Sequence, residues 1–178
     1  YIWGANYSIG SCPTAYIPTT TAAATRAADI ALITNANAIA DQCWIIRART
    51  PRKISGGSGN VLFQVDDGTS VNRRYIRYES DGTLRAYGTI SSTTNIVLNL
   101  GAVAADTDVT VAVRWADNNS AASLNGGAIV TDVSGGNPLG LTTARVGCDS
   151  STNSWNSTIK TIETRRTATD AELPLLSA

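Results

Sequence analysis

Histidine is absent from this 178-residue chain, which removes every catalytic triad or dyad that relies on an imidazole base. It also removes the usual nitrogen ligand of zinc. The three cysteines, Cys12, Cys43 and Cys148, stand too far apart to supply a Cys-x-x-Cys half-site in its place. They read as buried free thiols of a protein assembled in a reducing compartment. Charge of one sign is missing too. Fourteen acids balance fourteen bases and the arginines are scattered along the chain, which argues against a general nucleic-acid binder. No apolar run approaches the roughly 20 residues of a membrane-spanning helix, so no membrane insertion is expected. Methionine is absent and Tyr1 comes first, from which we expect a piece of a longer protein.

Helix signals are scarce. Thr169 and Glu172 form a capping-box pattern with Asp170 in the first turn, and Pro174 limits the result to one or two turns. What fills the rest of the chain has period two. Val109, Val111, Val113 and Trp115 alternate with Thr110, Ala112 and Arg114. Val61, Phe63 and Val65 alternate in the same way with Leu62 and Gln64. The run from Cys43 to Ala48 is apolar on both faces at its start and predicts a strand inside a sheet. Turn chemistry separates these runs: Asp66-Asp67-Gly68, Asp81-Gly82 and Asn125-Gly126-Gly127 accept positive φ cheaply, and Ser55 to Gly59 is a flexible connection. An apolar content of 43% is enough for a core. Many strands with short turns predict an all-β sandwich or barrel, and the pattern alone does not choose between them.

The segment Tyr16-Ile-Pro-Thr-Thr20, followed by Thr25-Arg-Ala-Ala-Asp29, resembles the lead-in to the laminin-G-like, concanavalin A-like domain of bacteriophage tail proteins. Further blocks resemble the same family in order: Phe63-Gln-Val-Asp-Asp-Gly68, Asn72-Arg-Arg-Tyr-Ile-Arg77, Asp81-Gly-Thr-Leu-Arg85, Ala121-Ala-Ser-Leu-Asn-Gly-Gly127, Arg145-Val-Gly147 and Ala171-Glu-Leu173. The resemblance implies a two-sheet antiparallel jelly-roll sandwich closed by one short C-terminal helix. It divides the chain into 1–24, a terminal strand and linker from an upstream jelly-roll module, and 25–178, the laminin-G-like sandwich. The strand Tyr1 to Ser11 is expected to pair with or pack on that sandwich, since an orphaned edge carrying Ile2, Trp3 and Tyr7 invites aggregation.

Sugar recognition needs aromatic faces together with planar polar groups. A strand from Arg74 to Glu79 turns Ile76 and Tyr78 to one side and Tyr75 and Arg77 to the other. Beyond the Asp81-Gly82 turn, Arg85 and Tyr87 fall on that same polar side. These four read either as an outward saccharide platform or as an ordinary solvated or subunit-covered strand face. The loop from Asp149 to Asn156 adds Asn153 and Trp155, the latter either an exposed stacking group or a plug over the sandwich edge. Trp44 and Trp115 belong to the core, and Trp3 to the terminal segment.

Some laminin-G-like domains bind calcium through loop oxygens. The resemblance makes Asp66, Asp67, Asp117 and Asp149 the calcium candidates, with turn formation as the alternative reading of each. No other cofactor is expected. A glycoside hydrolase would need two carboxylates across a cleft. The nearest pairs, Glu79 with Asp81 and Asp106 with Asp108, lie at strand ends beside turns. No Gly-x-Ser-x-Gly elbow is present, and neither Lys53 nor Lys160 sits near a serine in a recognisable pattern.

The resemblance therefore implies a non-catalytic carbohydrate-recognition module of a phage tail fibre or tailspike. It would bind host-surface polysaccharide, as a homotrimer, on a virion assembled in the bacterial cytoplasm. The alternatives are a structural virion module (trimerisation, cap or decoration) with protein partners and, third, a polysaccharide depolymerase. Fold alone selects none of them.

Overall fold

The computed structural model describes residues 31–34, 41–52, 59–150 and 153–178. Their strands follow the alternation of the sequence: β1 Ala31–Thr34, β2 Gln42–Arg49, β3 Asn60–Asp66, β4 Arg73–Tyr78, β5 Thr83–Ile90 and β6 Thr93–Ala102 come first. Then follow β7 Asp108–Trp115, β8 Ser120–Leu124, β9 Val130–Asp132, β10 Thr143–Val146, β11 Ile159–Arg165 and the helix α1 Glu172–Leu176. The strands form two antiparallel sheets, ordered β1-β10-β3-β4-β5-β6 and β11-β2-β7-β8-β9. Two sheets with a core between them make a sandwich, so the barrel alternative falls away.

The core is built around Trp44 on β2. Its ring meets Phe63 of the opposite sheet edge-on at 4.8 Å and its own sheet neighbour Trp115 at 5.0 Å. Ile46, Val111 and Val113 from the five-stranded sheet face Ile76, Leu84, Ile96 and Leu98 from the six-stranded one. The double-sided apolar run of β2 has two separate uses. Trp44 and Ile46 point into the sandwich, while Cys43 and Ile45 point outward and pack with Ala112, Ala121 and Leu173 beneath α1.

That helix forms where expected, but only the Glu172 half of the capping box is made, and the Thr169 hydroxyl caps no backbone N–H. The Glu172 carboxylate accepts the Thr169 N–H at 2.6 Å and the Thr169 hydroxyl at 2.8 Å. Pro174 sits in the first turn, where its missing N–H costs nothing. Arg114 of β7 donates to the Ala168 carbonyl and to the Asp170 carboxylate, fastening the segment that leads into the helix. The helix thus covers the Cys43, Ile45, Ala112 and Ala121 part of the outer face of the five-stranded sheet, while Arg47, Asp108, Glu163 and Arg165 of that sheet stay exposed.

Register shifts fall in the β11–β2, β3–β4 and β5–β6 pairings, and the one in β3–β4 shapes the outer face. The β3–β4 pairing shifts between Val61 and Phe63, a bulge in β3. Leu62 and Phe63 both enter the core, while Val61 turns outward against Tyr75 and Tyr87. The expectation that Val61, Phe63 and Val65 share one face fails at Val61 for this reason.

Cys43 and Cys148 are buried free thiols, and burial pushes the Cys43 thiol up to about 11. Cys12, the strand Tyr1 to Ser11, the 1–24 and 25–178 boundary, Lys53 and most of the Ser55 to Gly59 connection lie outside the described residues. No helix among the described residues is long and apolar enough to cross a membrane.

Candidate functional site

Antiparallel register lines up the outward side chains of the six-stranded sheet in rows. One row crosses all six strands as Leu32, Arg145, Gln64, Tyr75, Tyr87 and Val97. The row on one side holds Val61, Arg77, Arg85 and Asn99, and that on the other holds Asp66, Arg73 and Thr89. Tyr75, Arg77, Arg85 and Tyr87 therefore share one face, as their spacing requires.

They do not form an exposed platform. Tyr75 and Tyr87 are only 5% and 8% exposed. Directly opposed across the strands, their rings stack on each other at 5.0 Å with 21° between planes. The Arg73 guanidinium lies 4.5 Å over the Tyr75 ring, and that of Arg77 lies 5.7 Å from Tyr75 and 5.1 Å from Tyr87. Mutual stacking and guanidinium cover consume the surface that an exposed platform would offer to a ligand.

Glu79 locks the layer beneath. It accepts hydrogen bonds from the Tyr87 hydroxyl and from Arg77 Nε at 2.9 Å. Burial and the Glu79 hydrogen bond push the Tyr87 phenol up, so it stays neutral. Burial works against the Arg77 charge, but the Glu79 hydrogen bond and carboxylate outweigh it and raise the guanidinium further. Arg85 is tied to Asp81 at 2.8 Å.

A cleft of about 310 Å³ opens beside this stack. Arg73, Tyr75 and Arg77 of β4 line it together with Val61, and Asp149 and Asn153 come from the loop that follows β10. Ser70 and Ser150 complete the lining. The loop is pinned to β3 and to its own strand. Asp149 accepts the Asn153 N–H at 3.2 Å and Nδ2 at 2.7 Å, Asn60 Nδ2 donates to the Ser154 carbonyl at 2.6 Å, and the Trp155 N–H donates to the Gly147 carbonyl at 2.8 Å. Two candidate regions that are distant in sequence meet here.

Of the six expected site residues, Tyr75, Arg77 and Asn153 line the cleft, Tyr87 backs it as the second ring of the stack, and Arg85 lies in the adjoining row outside it. Trp155 is not a ligand-stacking group. It is 1% exposed and sits edge-on to Tyr78 at 6.4 Å within the core, because its loop folds the indole inward over the sandwich edge. Sequence reasoning missed Arg73, Ser70 and Ser150. The signal for Arg73 was present: extending the alternation from Tyr75 by two residues places Arg73 on the same side.

The calcium candidates do not converge. Asp66 accepts Arg145 Nε at 2.7 Å, Gln64 Nε2 at 2.7 Å and the Gly68 N–H at 2.8 Å. Asp67 accepts the Thr69 N–H at 2.9 Å and Asn72 Nδ2 at 2.8 Å, and Asp117 accepts the Asn137 N–H at 3.1 Å. Asp149 is engaged by Asn153 as above. Each closes a turn or an ion pair, and no group of three His, Cys, Asp or Glu among the described residues is placed to hold a metal ion. The hydrolase pairs are similarly engaged. Asp106 pairs with Arg49 at 2.7 Å and Arg52 at 3.0 Å, and Asp108 with Lys160 at 2.6 Å. Hydrogen bonds from Thr83 to Asp81, from Arg49 to Asp106 and from Lys160 to Asp108 lower all three carboxyls.

No protein-family model and no curated protein sequence matches the chain. Solved structures do match. The CBM40 carbohydrate-binding module of a Ruminococcus gnavus IT-sialidase, bound to α2,3-sialyllactose, is similar at a TM-score of 0.62 and 15% identity, over 79% of this chain and 83% of that one. Domains LG4-5 of the mouse laminin α1 chain are similar at 0.57 and 12% identity, over 78% and 39%. A human galectin-16 variant is similar at 0.54 and 10% identity, over 76% and 94%. What these likenesses show is the fold: a jelly-roll sandwich of the laminin-G-like, concanavalin A-like kind.

Proposed function

We propose that the chain is a non-catalytic carbohydrate-recognition module that binds glycan in the cleft beside Tyr75. The observation that carries this reading is the meeting of Tyr75 and Arg77 on β4 with Asn153 from the loop after β10 in one cleft. Guanidinium, amide and hydroxyl groups around one cleft, with Tyr75 and its arginine cover as a wall, match the hydroxyls of a sugar ring. The likeness in fold to a module solved with sialyllactose supports the same class of ligand. The carboxylates argue for binding without cleavage. A glycoside hydrolase needs two free acids across a cleft, whereas Glu79 is held by Arg77 and Tyr87, Asp81 by Arg85, Asp106 by Arg49 and Arg52, and Asp108 by Lys160.

The ordered sequence blocks from Phe63 to Leu173 support placing the module on a phage tail fibre or tailspike, facing host-surface polysaccharide. A shallow site of this kind binds weakly alone, and homotrimeric display on the virion would raise avidity without new contacts.

A glycan array probed with the intact protein tests the reading, with Tyr75→Ala alongside and reducing-end release assayed on every hit. We expect binding to a restricted set of glycans, at least tenfold loss in Tyr75→Ala, and no release of reducing ends. Absence of any hit, together with a trimer in sedimentation that covers Tyr75, would shift the reading to a structural virion module. Release of reducing ends would make it a depolymerase.

A further inference from the structure

We propose that the ligand of this cleft is an acidic sugar whose oxyanion, carboxylate or sulfate, is held by Arg73. The inference rests on the glycan reading above and sharpens it. The cations of this sheet face are otherwise matched: Arg77 with Glu79 at 2.8 Å, Arg85 with Asp81 at 2.8 Å and Arg145 with Asp66 at 2.7 Å. Arg73 is the exception. The carboxylate directly across the strands from it is Asp66, but Asp66 is fully buried and already engaged by Arg145, Gln64 and the Gly68 N–H. No carboxylate among the described residues lies within ion-pairing distance of Arg73. Its Nε is buried without a hydrogen-bond partner.

Leaving a buried donor unmade is costly, and among the several side-chain atoms of the described residues in that position Arg73 Nε is the one that belongs to a cleft residue. Here it belongs to a group fixed 4.5 Å over Tyr75 in the wall of the cleft. The guanidinium is therefore positioned by its packing over Tyr75 and carries no ion pair with any described carboxylate. Its planar fork of donors matches an oxyanion in bidentate geometry. The Asp149 carboxylate, also in the lining, accepts both Asn153 donors and lies beyond ion-pairing distance of Arg73. Ser70, Ser150 and Asn153 supply groups for the hydroxyls of the same ring. At about 310 Å³ the cleft is at the small end of ligand sites, which suits a single ring of a longer chain.

Calorimetric titration of the intact protein with matched probes tests this: trigalacturonate against its methyl ester, α2,3-sialyllactose against lactose, and lactose 3′-sulfate. At least one acidic probe should bind tenfold or more tightly than its neutral partner, and the carboxylate and sulfate arms identify the oxyanion. Arg73→Gln should bring the acidic probe to within about threefold of the neutral one, and Arg73→Lys should keep part of the preference. The Arg73 side chain has no ion pair to lose, only its packing over Tyr75, so both variants should keep the wild-type circular dichroism and stay folded well above the titration temperature. Equal binding of acidic and neutral probes, unchanged in Arg73→Gln, overturns the acidic-sugar inference and leaves the glycan reading standing. Binding of none of the five probes, with an array empty of hits, overturns both.

Discussion

Tyr75, Tyr87 and Trp155 show how aromatic residues in similar sequence surroundings serve different ends, a stacked pair on the outer face and a core indole. Each is an aromatic amid polar neighbours, and period-two spacing correctly puts the two tyrosines on one face. Spacing says nothing about what lies on top of that face. The stacked rings and the arginines over them come from cross-strand register, and the burial of Trp155 comes from a loop that folds back on the sheet. If Trp155 is core, Trp155→Ala should cost about 3–5 kcal/mol in chemical denaturation, with Trp155→Phe well below that. If it were an exposed stacking group, Trp155→Ala would leave stability nearly unchanged and abolish binding instead.

At the scale of elements, the strands with clean alternation were legible. The β2 and β7 runs, the short helix and the turns at Asp81-Gly82 and Asn125-Gly126 all stand where the sequence puts them, with Asn125 and Gly126 both at positive φ. The bulge in β3 was not legible. Val61, Leu62 and Phe63 are all apolar, so hydrophobicity cannot show which two face inward. The cleft depends on that bulge, since it turns Val61 outward beside Tyr75. It depends equally on the pairing of β10 with β3, a contact between segments nearly 80 residues apart that brings the Asp149 loop over β4. Half of the site was therefore readable as a strand face. The other half is topology, which residue spacing does not encode.

The whole molecule combines a balanced charge with no histidine, and this fixes its response to pH. Thr83 on Asp81, Arg49 on Asp106, Lys160 on Asp108 and the Thr169 backbone on Glu172 lower those carboxyls in the folded state. A group with a lowered folded pKa adds stability above its unfolded value, near 4, and loses it as pH falls through the folded value. Melting temperature followed from pH 8 to 2.5 should be flat down to about pH 5 and fall below pH 4. A step between pH 6 and 7 would contradict this, because no imidazole exists to produce one.

The cleft lined by Arg73, Tyr75, Arg77 and Asn153 is the proposed place where sugar binds. Amide chemical shifts of the intact protein, followed during titration with a glycan that scores on the array, test that claim most directly. The shifts should concentrate on Ser70, Arg73, Tyr75, Arg77 and Asn153 and spare α1 and the outer face of the five-stranded sheet. Shifts centred on α1, or on the Arg49 and Asp106 cluster, with the cleft amides unmoved, would contradict it.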